Sequence, residues 1–267
     1  VNDASRRPLP FAVRVHPQFL HLFFLLLAFV ALRGDGFEAV LRFSVGFVVT
    51  TAALLLHELG HAFAARRYGI VVDEVVIHPL GGMAKLLWRA EDPGLEMRVA
   101  FAGPAVNLAL AAASWGALQV VESRDATWFA AVSLGVNLVV GAGNLLPAFP
   151  MDGGRILRAA LSRRIGRAEA TRVAARIGRA IGALFFVAPF VLWKTTDLPF
   201  LALLSFPLVG LTIVALGEWE RLKALAEERM GAAAAAAGAP SGGVGRGPSG
   251  EGPGDVVEAS GSSRVVE

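Results

Sequence analysis

His57 and His61 stand four residues apart with Glu58 between them, in the run His57-Glu58-Leu59-Gly60-His61. On an α-helix a separation of four residues is about 400° of rotation and roughly 6 Å of rise, so both imidazoles leave one face toward a common ion. Glu58 falls beside that face, within reach of a water placed there. Two imidazoles and a neighbouring carboxylate in this order are the parts of metal-assisted hydrolysis. The chain holds no cysteine, which excludes disulfides, thiolate zinc sites and cysteine nucleophiles, so a metal must be held by nitrogen and oxygen.

Two histidines leave a catalytic zinc one protein ligand short, since such a site usually has three plus a water. Asp152 is the strongest candidate for the third, in Asn144-Leu145-Leu146-Pro147-Ala148-Phe149-Pro150-Met151-Asp152-Gly153-Gly154-Arg155. The prolines remove backbone donors and the glycines allow close approach, so an apolar helix running into this segment must break and expose backbone groups. A carboxylate also suits the charge balance. A dication with one carboxylate ligand and an ionised Glu58 nearby is close to neutral, which lowers the cost of a low-dielectric site. His78, His16 and His21 are weaker candidates, expected as interfacial or packed side chains.

The elements that must carry these residues are membrane helices. In 267 residues, 55% are hydrophobic and 18% charged, with a mean hydropathy of +0.57, which is not the composition of a soluble protein. Six segments approach the roughly 20 apolar residues that cross a hydrocarbon core, at about 17–33, 38–65, 99–121, 127–149, 178–194 and 199–217. Pro189 and Pro207 interrupt the last two. The fold class expected is therefore an all-α polytopic membrane protein. A small β element joins the second and third spans, where Ile70–Trp88 is rich in Val and Ile and carries the turn signal Pro79-Leu80-Gly81-Gly82.

The charge pattern orients these spans. With residues 1–16 as a cytoplasmic N-terminal segment, 21 of the 25 Lys and Arg fall on the cytoplasmic side, as the positive-inside rule requires. The arginines lie between apolar stretches rather than along one face, which argues against a nucleic-acid partner despite a pI near 9.9. His57, nine residues before Arg66, then lies on the order of 13 Å inside the membrane and opens toward the cytoplasm. Residues 17–217 form the expected membrane domain and 218–230 a cytoplasmic helix extension. From 231 to 267 an Ala run gives way to Gly, Ser and Pro with too few large apolar residues to order a fold.

At this point the sequence resembles the site-2 protease family of intramembrane zinc metalloproteases. The likeness rests on HELGH at 57–61, GPAVN at 103–107 and NLLPAFPMDGG at 144–154, in that order, each in or beside an apolar segment. It implies that His57, His61 and Asp152 bind one Zn2+, that Glu58 is the general base, and that Asn144 and Pro147 hold the substrate backbone. Asn107 of the GPAVN run is implied to lie near the active site, among the substrate-binding residues. The compact branch with six spans and no PDZ or CBS module fits best, the branch that includes the sporulation proteases acting on a membrane-associated pro-sigma factor.

The function expected is hydrolysis of a peptide bond in or next to a transmembrane segment of a membrane protein, such as an anti-sigma or pro-sigma factor, at the cell membrane. A substrate helix hides its peptide bonds in its own hydrogen bonds and must unwind first, and strand addition near Gly81-Gly82 is the expected way of holding it extended. Two other classes compete: a divalent-metal transporter, which would favour ionisable residues along a through-path and often an internal repeat, and an inactive membrane scaffold. No repeat is visible and all four proposed catalytic positions are filled. The substrate and the oligomeric state are not written in the sequence.

Overall fold

The computed structural model describes residues 11–34, 36–78, 81–86, 92–195 and 200–236. Its elements in chain order are β1 (Ala12–Val15), α1 (Pro17–Leu32), α2 (Gly36–Arg67), β2 (Val72–His78), β3 (Gly81–Leu86), α3 (Pro93–Leu118), α4 (Arg124–Asn144), α5 (Asp152–Ile165), α6 (Arg167–Thr195) and α7 (Phe200–Ala236). A helix occupies each of the six apolar segments. Four of them, α2, α3, α4 and α6, are long and apolar enough to cross a membrane, and α1 is a shorter apolar helix of 16 residues.

Side chains such as Phe24, Phe29, Val48, Trp115, Val139, Leu184 and Phe190 are exposed around these helices. An apolar surface of that extent is stable against lipid rather than water, and the chain is a multi-pass membrane protein. Within the bundle, α2 buries the i, i+4 row Val49, Ala53, His57, His61 and Ala65, and α3 buries Ala100, Gly103, Asn107 and Ala111. Small residues bring the two backbones together. A Cβ on Gly60 would lie 2.9 Å from the carbonyl oxygen of Ala102, so any larger residue would push α2 off α3.

The local signals agree with the helix ends. Asp92 accepts from the Gly94 N–H (2.8 Å) with Pro93 in the first turn of α3, and Ser123 accepts from the Ala126 N–H (3.2 Å) at the start of α4. Three strands form one sheet in the order β1-β2-β3. The expected β element is β2 and β3, paired antiparallel from His78 opposite Gly81 to Val72 opposite Leu86. The residues of its turn, 79–80, lie outside the described residues. β1 is an addition that the sequence reading did not foresee; it pairs parallel to β2 from Ala12 opposite Glu74 to Val15 opposite Ile77. Phe11, Ile70, Val72 and Val75 pack with Ala62, Ala65 and Val99, which seats the sheet on the ends of α2 and α3 beside His61.

The expectation of a fourth span over 127–149 needs correction. α4 ends at Asn144, and residues 145–151 run as turns, because Pro147 and Pro150 cannot continue the hydrogen-bonding ladder. α5 is also unforeseen. It carries four arginines with Gly153, Gly154 and Ala159 buried, and at 14 residues the helix is amphipathic rather than membrane-spanning. α7 continues past residue 230 through the start of the Ala run to Ala236. The chain divides into a compact unit of residues 1–228 and a second unit, 229–267, described only as the last turns of α7; the rest of the Gly/Ser/Pro-rich tail lies outside the described residues.

One ion cluster binds α5 to its neighbours. The buried Glu96 carboxylate of α3 accepts from Arg158 of α5 through Nε (3.0 Å) and Nη2, and from Arg167 of α6 (2.7 Å). Arg158 also pairs with Glu220 of α7 (3.5 Å) and lies over the Phe149 ring (5.1 Å). Removing one partner of a buried pair costs ~3–5 kcal/mol, because the other charge is left desolvated. Glu96→Ala should therefore lower the unfolding free energy in mixed micelles by about 3 kcal/mol or more. Glu169→Ala, which loses the exposed pairs with Arg172 and Arg176, should leave the unfolding midpoint nearly unchanged.

Candidate metal centre

Two elements meet at one buried point. His57 and His61 come from one face of α2, and Asp152 is the first residue of α5. Asp152 Oδ2 lies 3.1 Å from His57 Nε2 and 3.1 Å from His61 Nε2, and the two Nε2 atoms are 3.1 Å apart. All three residues are less than 7% exposed. They form a group whose ligand atoms are close enough to hold one metal ion.

Partners behind the rings show which atoms face the centre. His61 Nδ1 lies 2.7 Å from the carbonyl oxygen of Val99, which only accepts, so that nitrogen donates. His57 Nδ1 lies 2.6 Å from Asn107 Oδ1 and donates likewise. In the neutral rings both Nε2 atoms then carry lone pairs, and they face a carboxylate oxygen. Three acceptors at 3.1 Å repel one another unless a positive charge lies among them. An equilateral triangle of that side (3.1 Å divided by √3) puts its centre about 1.8 Å from each corner, just inside the ~2.0–2.1 Å of zinc–nitrogen and zinc–oxygen bonds. The donor set fits zinc.

Space for an ion comes from α3. A Cβ on Gly103 would lie 2.3 Å from His61 Nε2 and 2.8 Å from His57 Nε2, so only glycine leaves that side of the cluster open. The turn before α5 is equally tight. A Cβ on Gly153 would lie 2.3 Å from the carbonyl oxygens of Leu145 and Leu146, and one on Gly154 would lie 2.7 Å from the carbonyl carbon of Ala148. The two glycines let α5 start directly against the broken segment, which carries Asp152 back to α2. Arg155 Nη1 stands 3.9 Å from the other carboxylate oxygen, Oδ1.

The remaining expected site residues fall in three places. Glu58 is buried on α2 beside His57. Asn144 ends α4 with its Nδ2 donating to the Val140 carbonyl (2.9 Å), and Pro147 is exposed in the broken segment. Asn107 differs from expectation: fully buried, it has its oxygen on His57 and its nitrogen on Ala53 and Asn137, so it stands behind the ligand and presents no free face to a substrate. His16 caps α1 and His21 is exposed on it; neither joins the cluster, and the His78 side chain lies outside the described residues. Sequence reading missed Asn137 and the Val99 carbonyl. A backbone carbonyl leaves no sequence signal, but an asparagine inside an apolar span is itself one.

Comparison with known proteins agrees with this geometry. The model of peptidase family M50 matches residues 45–124 and 119–186, and the chain belongs to that family. It is 32% identical over 169 residues to the zinc metalloprotease MJ0392 of Methanocaldococcus jannaschii, covering 63% of this chain and 49% of that protein. With the putative zinc metalloprotease Rip3 of Mycobacterium tuberculosis it shares 41% identity over 169 residues, 57% of this chain and 43% of the relative. Stage IV sporulation protein FB of Bacillus subtilis is 30% identical over 123 residues, 45% of this chain and 41% of that protein. The chain thus spans about half the length of the curated relatives it matches. Among solved structures, the site-2 protease from Methanocaldococcus jannaschii superposes with a TM-score of 0.59 at 28% identity, over 80% of this chain and 93% of that one.

Gly103→Ala tests the cradle. The variant should keep its helical circular dichroism yet retain less than a tenth of the zinc that the wild type carries through purification, as measured by plasma mass spectrometry.

Proposed function

We propose that the chain is an intramembrane zinc endopeptidase of the site-2 protease type, cutting a membrane protein in or next to a transmembrane segment. The observation that carries this reading is the convergence of two imidazole Nε2 atoms and one carboxylate oxygen, all buried and all acceptors, beside a further buried carboxylate, Glu58. The metal ligands are His57, His61 and Asp152, one Zn2+ per chain. Held by these three residues, zinc would polarise the scissile carbonyl and bring the pKa of water toward ~7. Glu58 takes the proton of the attacking water on its carboxylate as the oxygen adds to the carbonyl carbon. It then passes that proton to the amide nitrogen as the C–N bond breaks, leaving a free acid and a free amine.

The scissile bond reaches this site only from an unwound segment. Asn144 and Pro147, at the end of α4 and in the turn after it, line the approach and hold the substrate backbone. β3 serves as the docking edge, since in the order β1-β2-β3 its outer edge pairs with no strand among the described residues. Bulky residues at Gly81 and Gly82 should then slow cleavage without changing zinc content. Unchanged cleavage would remove β3 from the reading.

The finer assignments follow the charge pattern and the relatives. Six spans at the cell membrane, within a membrane domain over 17–217, put the N-terminus and the opening of the site toward the cytoplasm. The substrate class is a regulatory membrane-associated factor, of the anti-sigma or pro-sigma kind, supported by the likeness to a sporulation protein.

Glu58→Gln should abolish proteolysis while zinc stays near one per chain, and the dead enzyme should trap its substrate for cross-linking and identification. A Glu58→Gln enzyme that still cleaves at the wild-type rate would end the proposal. Asp152→Asn should weaken zinc binding. Zinc moving into liposomes with no cleavage would favour a transporter instead.

A further inference from the structure

We propose that Asn137 of α4, acting through Asn107 of α3, is a positioning residue that fixes the tautomer of His57 and so aims its Nε2 lone pair at the metal centre. The proposal deepens the metalloprotease reading and rests on it. Two main-chain carbonyls, which can only accept, set the direction of the whole chain of contacts. The Ser133 carbonyl lies 2.9 Å from Asn137 Nδ2 and the Ala53 carbonyl 3.1 Å from Asn107 Nδ2, so each amide turns its nitrogen that way. Asn137 Oδ1 then faces Asn107 and accepts from its Nδ2 at 2.9 Å. Asn107 Oδ1 faces His57, 2.6 Å from Nδ1.

An amide oxygen cannot donate, so His57 must carry its ring proton on Nδ1, and its Nε2 is left as an acceptor. The opposite amide orientation would present N–H to Nδ1, move the ring proton to Nε2 and point it at the place where a cation belongs. Asn137 guards against that rotation, because its oxygen and the Ala53 carbonyl together hold both hydrogens of the Asn107 amide.

The setting makes this a costly arrangement unless it is complete. Asn107 is fully buried and Asn137 is 3% exposed, and an amide among apolar helices is stable only when its groups are bonded. Among the described residues no buried side-chain nitrogen or oxygen lacks a partner. Gly141 of α4 makes the approach possible, since a Cβ there would lie 3.1 Å from Asn107 Cβ. The Nδ1 side of His61 is held differently, by the Val99 carbonyl of α3. A defect in α4 should therefore disturb His57 and spare His61, which a general loss of packing would not do.

The test compares full-length wild type with Asn107→Leu, Asn137→Leu and Asn137→Asp in detergent, reading zinc affinity by chelator competition. The zinc-free chain gives the histidine tautomers from 15N spectra. Loss of a partner behind a metal-bound histidine weakens metal binding ~10–100-fold, which is expected for Asn107→Leu, with Asn137→Leu near the lower end. Asn137→Asp should stay within about threefold of wild type, because a carboxyl of nearly the same shape keeps an acceptor oxygen facing Asn107 Nδ2. His57 should be Nδ1-protonated in wild type and mixed in Asn137→Leu, with His61 Nδ1-protonated in both. Wild-type affinity in both leucine variants, or an Nε2-protonated His57 in the wild type, would overturn the proposal. Should Asn107→Leu fail to fold, the two Asn137 variants decide the matter. A wild type that binds no zinc would sink the metal-site reading, while the His57 tautomer in the Asn137 variants would still judge this one.

Discussion

Mutual repulsion among three acceptor atoms is the constraint on which the rest of the molecule depends. The Nε2 atoms of His57 and His61 and Oδ2 of Asp152 are held 3.1 Å from one another inside a bundle of apolar helices. In water such atoms would separate and be solvated. Here they are kept together by contacts behind them, and a cation at their centre turns the repulsion into binding. The fold is a means of holding lone pairs face to face until the ion arrives.

Each neighbour of the cluster contributes to that. α2 supplies two ligands through its i, i+4 spacing, and α3 supplies the opening at Gly103, the Val99 carbonyl and Asn107. The sheet seats against Val99 and Ala62, which fixes the carbonyl that orients His61. Breaking the chain after Asn144 frees Asp152 from the α4 axis, and Gly153 and Gly154 let α5 fold back sharply enough to reach α2. The pairing of Glu96 with Arg158 and Arg167 then ties α5 to α3 and α6. α5 is thereby anchored far beyond the one residue it brings to the site.

Much of this is legible in the sequence, for reasons that differ from residue to residue. His57, Glu58 and His61 declare themselves because helical periodicity turns a spacing of four into a shared face. Asp152 is legible because prolines and glycines in an apolar context force a break, and a break in a membrane needs a purpose. Asn107 is visible as a polar residue in a span, but its role is not: only the tertiary contact with His57 shows that it faces the ligand rather than the substrate. α5 was hidden by its four arginines, which leave no long apolar stretch to mark it, and β1 by its four-residue length. The carbonyls of Val99 and Ala53 carry no signal at all, since every residue has one.

The central claim is that these three side chains form one metal-binding unit. X-ray absorption on the purified, zinc-loaded chain tests it most directly, paired with metal analysis of His57→Ala, His61→Ala and Asp152→Ala. The account predicts one zinc per wild-type chain, with nitrogen and oxygen neighbours at ~2.0–2.1 Å and two of them imidazoles, and loss of the bound zinc in each variant. Zinc that stays bound at full stoichiometry in all three variants, or a first shell with no imidazole, would contradict it.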